Sequence, residues 1–492
     1  MMSFITLEKA QRKLAENVRA GRLYMNLTQQ GLAERAGVPV PTLRKFEQKG
    51  AISLESFLKI QMVLGGLEAI LKATETKAQE FTSIDDVLEA HTPSGRQRDI
   101  PVGRLASRDH QIYFEYDRAF MERGLEISPV RLPLKTGLIR FDPTPFEGLG
   151  GVFNDSLPDG WGRLLFDRFV RSQGMVPTEV SPLDRLAHVG RHGMGALVYE
   201  PDHSPALGKN EISLDQLASQ AQAVLDGASD EVLAQLMALN GSSAGARPKA
   251  LIGVSEARDR IIHGVATVPE GFTQWIVKFP NNQDGPDAGA IEYVYARMAQ
   301  DAGISMPQSH LFPAQNGPGY FAVQRFDRCG TRRLHMHTAC GLLHSDFRTP
   351  SLDYEDLIAL TGSLTRDMRE VEKLYRLAVF NVLAHNRDDH AKNFSFLMDE
   401  VGQWTLSPAY DLTFSSGPDG EQSTMVLGEG RTPSLQHLRK LGEAAKIPKP
   451  RIQEILDQTQ SSLTKWQEWA TTHGVSASNI RLIGERLNGS MS

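Results

Sequence analysis

Cysteine is nearly absent. Cys329 and Cys340 are the two in 492 residues, which excludes a disulfide scaffold. No run approaches the roughly 18 apolar residues of a membrane span. Met1 to Lys9 lacks the basic stretch and apolar segment of a secretory leader, so a cytoplasmic chain with two free thiols is expected. There is no internal repeat and no low-complexity tract. What remains is ordinary for a globular chain, 40% hydrophobic and 23% charged. The length suggests about three domains. Charge is spread unevenly: residues 1–72 hold 11 Lys and Arg against 6 Glu, +5 in a chain of net −6, which leaves −11 for the rest. A basic module on an acidic body points to a polyanion bound at the N-terminal part alone.

That basic part reads as short helices. The first spans about Leu7 to Tyr24, with Leu14 and Val18 four apart on one face. Thr28 is a good N-cap for a second helix carrying Leu32 and Ala33, and Gly37 ends it. Pro39 to Gln48, Leu54 to Leu64 and Gly66 to Leu71 complete a five-helix domain over residues 1–73. The string from Leu27-Thr28-Gln29-Gln30 through Leu32-Ala33-Glu34-Arg35-Ala36-Gly37-Val38 to Thr42-Leu43 and Phe46-Glu47 resembles the phage-repressor-like helix-turn-helix family. There a small residue and a glycine let two helices cross closely, so that the second can enter the major groove. The resemblance implies that Thr42, Arg44 and Lys45 face base edges or phosphates, with Gln29 on the DNA backbone. Pro41 in the first turn of the reader helix departs from the commonest pattern, at a place where proline is tolerated.

Residues 74–97 are polar and mixed, with a short amphipathic piece (Ile84, Val87, Leu88), and read as a linker. Alternating strand character follows at Val102 to Leu105 and Gln111 to Tyr116. Helical patterns lie at Gly160 to Val170, Leu183 to His188 and Ser213 to Leu239, and strands resume at Ala250.

The most informative segment is His385-Asn386-Arg387-Asp388-Asp389-His390-Ala391-Lys392-Asn393. It follows an apolar helix. A strand, a turn at Asp399 to Gly402, a second strand and then Tyr410-Asp411 come after it. An Asp five positions before an Asn, a hairpin, and a second Asp beyond it is the layout of a protein-kinase catalytic centre. One carboxylate must accept the proton of the attacking hydroxyl, which suits Asp388. An amide oxygen and a second carboxylate must hold Mg²⁺, which suits Asn393 and Asp411. Lys392 and His390 could touch the transferring phosphate. A rival reading makes His385, Asp388, Asp389 and His390 a metal-dependent nuclease cluster, but nothing else in the chain supplies the further ligands.

Upstream, Gln274-Trp275-Ile276-Val277-Lys278-Phe279 is an apolar strand with one lysine, and a buried strand seldom carries an unpartnered lysine. Glu292, on a helix from Ala290 to Ala302, is either its ion-pair partner or a solvated residue. The strand Phe321 to Phe326 sits where a kinase hinge would meet adenine. Between these motifs and the N-terminal part, Asn240 to Lys249 is rich in small residues, whose free N–H groups can cradle phosphate.

Taken together these segments resemble the HipA family of toxin–antitoxin kinases, over about residues 98 to 440. The motifs that carry the resemblance are Val102 to Leu105, Phe153-Asn154-Asp155-Ser156-Leu157-Pro158-Asp159-Gly160, Pro182 to Leu186 with Val189 to Arg191, Ser242 to Lys249, Arg325-Phe326-Asp327-Arg328, Asp388 to Asn393, and Tyr410-Asp411. The resemblance implies a multidomain α+β chain. An all-α five-helix domain would precede a two-lobed kinase-like fold, with an N-terminal subdomain over 98–235 and a core with helical C-lobe over 236–492. It implies an ATP- and Mg²⁺-dependent serine/threonine kinase that phosphorylates an aminoacyl-tRNA synthetase and halts translation. Asp388, His390 and Lys392 would be catalytic, and Asn393 and Asp411 metal ligands. Ser243, Ala244, Gly245, Ala246, Lys249, Lys278, Gln324, Phe326 and His390 would bind nucleotide, and Ser242 would be autophosphorylated. Gln324 stands where relatives often carry Glu. The repressor-like module, usually a separate protein, is here fused, so a homodimer on its own promoter is expected, with a further antitoxin protein as an open partner. The alternative is a DNA-binding regulator whose kinase-like body senses nucleotide without catalysis.

Overall fold

The computed structural model describes residues 7–74, 100–204, 211–227, 236, 245–263, 268–281, 285–330, 332–349 and 352–491. The chain divides into two compact units, Met1–Phe81 and Thr82–Ser492. The expected linker piece at Ile84 to Leu88 lies outside the described residues.

Five helices build the first unit: α1 (Leu7–Tyr24), α2 (Gln29–Ala36), α3 (Val40–Lys49), α4 (Leu54–Leu64) and α5 (Leu67–Thr74). The Thr28 hydroxyl accepts the Gly31 N–H and so caps α2, which ends where Gly37 turns left-handed (φ 62°). Pro39 occupies the N-cap of α3, and Pro41 falls in its first turn, where a missing N–H costs nothing. The inward face of α1 differs from expectation. Ala15 and Val18 are buried, as is Arg22, whereas Leu14 is 43% exposed. The stripe is therefore Ala15-Val18-Arg22, one position round from Leu14, with the small Ala15 letting a neighbouring helix approach. With Leu32, Leu43, Phe46 and Ile60 it closes a single small core. Fully burying each of those larger side chains stabilises the unit by roughly 2 kcal/mol.

The second unit begins with an antiparallel hairpin, β1 (Gly103–Arg108) and β2 (Gln111–Tyr116), extended by β3 (Ile139–Arg140). Helix α6 (Gly160–Ser172) follows. A five-stranded antiparallel sheet comes next: β4 (Lys249–Ser255), β5 (Ile261–His263), β6 (Phe272–Lys278), β7 (Ser309–Phe312) and β8 (Tyr320–Gln324), in the order β5-β4-β6-β8-β7. Helix α7 (Ala288–Asp301) joins β6 to β7. The segment expected to be helical over Ser213 to Leu239 is a helix at Leu214–Leu225; residues 228–235 and 237–244 lie outside the described residues.

Beyond the sheet the chain is mostly helical. Strand β9 (His335–Thr338) leads to α8 (Tyr354–Thr365) and α9 (Met368–Leu383). Every α9 residue from Leu374 to Leu383 is buried, so this helix is hydrophobic nearly all round and forms the spine of the larger core. The hairpin β10 (Ser395–Met398) and β11 (Trp404–Leu406) pairs onto β9 in the order β9-β10-β11. Among the described residues no helix is long and apolar enough to cross a membrane.

Candidate active site

The loop after α9 is shaped by backbone that leaves the helical region abruptly. His385 takes φ 54°, which ends the helix and turns the chain toward Asp388. Asp388 is exposed; its neighbour Asp389 is wholly buried. The Asn393 amide nitrogen donates to the Asp388 carbonyl (2.7 Å), which leaves the amide oxygen as the atom available to a cation. Across the β10–β11 hairpin, the Tyr410 hydroxyl donates to the Lys392 carbonyl (2.5 Å), pinning the loop to the segment that carries Asp411. Asp411 has φ 58°, a conformation that costs a non-glycine residue free energy and recurs at functional sites.

Lys278 closes the site from the sheet. Its ammonium donates to Glu292 Oε1 on α7 (2.5 Å) and to Asp411 Oδ1, while Arg247 reaches the other Glu292 oxygen (3.3 Å). Glu292 is therefore the buried partner and not a solvated helix residue. Burial alone would lower the Lys278 pKa, but the two carboxylates hold it above the ordinary lysine value. For Asp411, burial acts upward, yet Lys278 and then Lys249 keep it well below the usual carboxylate range. Lys249 sits directly opposite Lys278 across β4 and β6, so two like charges share one face. Burial, then Lys278, push Lys249 down to about 8. Asp388 is shifted up, chiefly by desolvation, with Asp411 adding to it and His390 opposing.

The N-terminal part of the body supplies a third wall. Asp159 is the N-cap of α6, yet its carboxylate makes no cap bond to that helix. Instead it accepts from the Gly245 N–H (2.5 Å) and from Lys392 Nζ (2.5 Å). Forgoing a cap typically costs about 1 kcal/mol, and the charge-assisted pair outweighs it. Asp155 takes both the N–H and the hydroxyl of Thr338 (2.7 Å each) and His337 Nδ1 (2.6 Å). The segment holding Gly193 and Gly195 is gripped through its main chain: the Gly193 carbonyl accepts from Arg325, Arg328 and Arg333. Asp327 meanwhile takes the Gly195 N–H (2.7 Å) and pairs with Arg325 and Arg328.

These walls enclose a cavity of about 820 Å³, within the range of small-molecule sites. It is lined by Asp388, His390, Lys392, Asn393, Asp411, Lys278, Lys249, Gln324, Phe326, Gly245 and Ala246, so every described residue expected to serve catalysis, nucleotide or metal meets in one place. Ser242, Ser243 and Ala244 lie outside the described residues. Gly245 differs from expectation in one respect. Its single N–H already goes to Asp159, so it has none left for a phosphate in this structure. The rival nuclease cluster is not assembled. Asp389 turns inward onto Tyr354, Gln422 and the Thr424 N–H, and His385 stacks on Phe414. Among the described residues no group of three or more His, Cys, Asp or Glu gathers as a metal cage. An ionised carboxylate and an amide oxygen do fit Mg²⁺, which commonly takes one or two protein oxygens and completes its shell with water and phosphate.

In the first unit, Arg44 and Lys45 are exposed and Thr42 is half-buried, all on α3. The Gln29 amide nitrogen donates to Glu47 (2.7 Å).

Comparison with known proteins bears on the body. Residues 96–200 match the HipA N-terminal domain and residues 241–466 the HipA-like C-terminal domain, in that order and over about two thirds of the chain. The body is a HipA-family protein. Y4mE of Sinorhizobium fredii, named as a kinase, is 23% identical over 417 residues, 79% of this chain and 94% of that protein. Y4dM of the same organism, also named as a kinase, is 26% identical over 223 residues, and the match spans about half of its length (54%). Among solved structures, HipA of the Shewanella oneidensis MR-1 toxin–antitoxin system, in complex with HipB and operator DNA, superposes with a TM-score of 0.58 at 16% identity. That likeness covers 79% of this chain and 94% of that one and shows the fold of the HipA body. Of the motifs quoted from the sequence, Asp155 and Asp159 had no assigned role. Their partners lie 183, 86 and 233 residues away, beyond any periodicity.

Proposed function

We propose that this chain is an ATP- and Mg²⁺-dependent protein serine/threonine kinase of the toxin–antitoxin type. The observation that carries the reading is the ion-paired Lys278–Glu292–Asp411 group facing Asp388 and Asn393 across one cavity. In this reading Lys278 and Lys249 draw in the phosphates, and Gln324 and Phe326 border the adenine. Asn393 and Asp411 would hold Mg²⁺, which when bound neutralises charge on the phosphates. Asp388 accepts the proton of the attacking hydroxyl, and its upward shift makes it a better proton acceptor than an ordinary aspartate. His390 and Lys392 flank the transferring phosphoryl group. Phosphorylation of Ser242 would add close to two negative charges to the glycine-rich stretch that should receive the ATP phosphates, and repulsion would switch the kinase off.

The target proposed is an aminoacyl-tRNA synthetase, whose modification would arrest translation. The first unit, basic and with Arg44 and Lys45 exposed on α3, is proposed to bind the protein's own operator as a helix-turn-helix, as a homodimer. Leu54, Met62 and Leu71 on α4 and α5 are each more than half exposed and support pairing of two copies. A separate antitoxin remains a candidate partner. Incubation with labelled ATP and Mg²⁺ tests the kinase reading: phosphate should appear on Ser242 in the wild type and not in Asp388→Gln. Equal labelling of the two, or none in either, would sink it.

A further inference from the structure

The role of Asp159 is not explained by fold or by nucleotide contact. An aspartate at the start of a 13-residue helix normally caps that helix, and this one does not. Its two oxygens go to two different segments, the foot of the glycine-rich stretch (Gly245 N–H) and the catalytic loop (Lys392 Nζ). The next two residues reinforce the first of these contacts. Trp161 N–H donates to the Gly245 carbonyl (3.0 Å), so both sides of Gly245 are held by residues 159–161. Gly160 takes φ 44°, and a Cβ there would come within 2.5 Å of the Gly245 carbonyl oxygen, a backbone atom that cannot swing away. Lys392 itself is only 7% exposed and lies over the Phe347 ring at 4.7 Å, so its ammonium has little freedom apart from Asp159. An ammonium has three N–H donors and Asp159 takes one, which leaves Lys392 charged and aimed but still able to donate.

We propose that Asp159 is a positioning residue which, with Gly160 and Trp161, latches the foot of the glycine-rich stretch to the catalytic loop, so that the N-terminal part of the body sets the distance between the two phosphate-facing elements. The inference rests on the kinase reading for its effect on turnover. The latch itself is a matter of geometry. Asp159→Asn keeps an acceptor for Gly245 but removes the charge that holds Lys392. Gly160→Ala pushes Gly245 away by contact alone.

In full-length protein, amide hydrogen exchange at Gly245 to Arg247 should speed up by roughly tenfold or more in Gly160→Ala and by a smaller factor in Asp159→Asn, where the charge holding the other end of the latch is lost, while the buried amides of α9 keep wild-type protection. Autophosphorylation and the KM for ATP should worsen together, by roughly 10- to 100-fold in kcat/KM, because a misplacement of about 1 Å costs that much. Asp159→Glu, which restores the charge, should recover part of the loss. Unchanged exchange at Gly245 in both variants, or a loss in Asp159→Asn accompanied by exposure of α9, would overturn the proposal, the second because it marks a merely structural role. If the wild type neither binds nor turns over ATP, the kinase reading fails, and exchange at Gly245 alone decides whether the latch exists.

Discussion

Two of the buried ion clusters among the described residues, one in each unit, are built alike but end differently. In the first unit Arg22 forms a two-point pair with Glu47 (2.7 and 2.9 Å), Gln29 donates to the same carboxylate, and Arg22 also donates to the Leu27 carbonyl. In the body Lys278 joins Glu292 and Asp411, with Arg247 and Lys249 beside them. The first cluster is packed among helices, and every charge faces another protein group. The second opens onto an 820 Å³ cavity with like charges crowded on one face. A closed cluster does structural work. A cluster whose charges line a cavity is the arrangement expected where a charged group binds.

The contrast can be broken by experiment. The largest effect is expected from Lys278→Met, a loss of roughly 100- to 1,000-fold in kcat/KM for phosphoryl transfer, with only a small change in the unfolding temperature of the body. If this variant unfolds the body, the open cluster is structural after all. Glu47→Ala should do the reverse. Stranding the buried Arg22 guanidinium should destabilise the first unit by about 3 kcal/mol, read by proteolysis of residues 1–74 in the intact chain, with kinase turnover unchanged.

A smaller effect sharpens the comparison through Asp389, a buried acid outside both clusters. Burial pushes its carboxyl up to about 7 against the opposing hydrogen bond from Tyr354. A carboxyl raised on folding binds its proton more tightly in the folded chain, so its stabilising contribution is complete below about pH 4 and declines as pH rises toward 7. Between pH 5 and pH 8 the wild type should therefore lose about 3 kcal/mol relative to Asp389→Asn, which cannot titrate. Urea unfolding of both proteins at the two pH values measures this. Parallel behaviour would mean that the three donors around Asp389 keep it ionised throughout.

Much of this was legible in the residues themselves. Thr28, Gly37 and the turn at Asp399 to Gly402 carry local signals, and the elements they bound appear where expected. The lysine of β6 could be singled out because a charge in an apolar setting is costly, and Asp388, Asn393 and Asp411 by their spacing about a hairpin. What the residues left open depended on tertiary contacts outside any local pattern: the turn of Asp159 toward Gly245 and Lys392, which of the two readings of Glu292 holds, and the inward turn of Asp389 beside the outward Asp388. Leu14 shows the same limit on a smaller scale. Its four-residue spacing to Val18 was correct for a helix, but which flank of the stripe faced inward depended on the partner helices.

The grip on Gly193 and Gly195 has one more implication. Arg325, Arg328, Arg333 and Asp327 hold that loop by its peptide groups, which are the same whatever side chains the loop carries. Met194 and Leu197 border the cavity from that loop, and the grip described runs through peptide groups, not through their side chains. Substitution of these side chains would leave the peptide groups of the grip in place, which makes this end of the chamber the natural place to alter what the cavity admits.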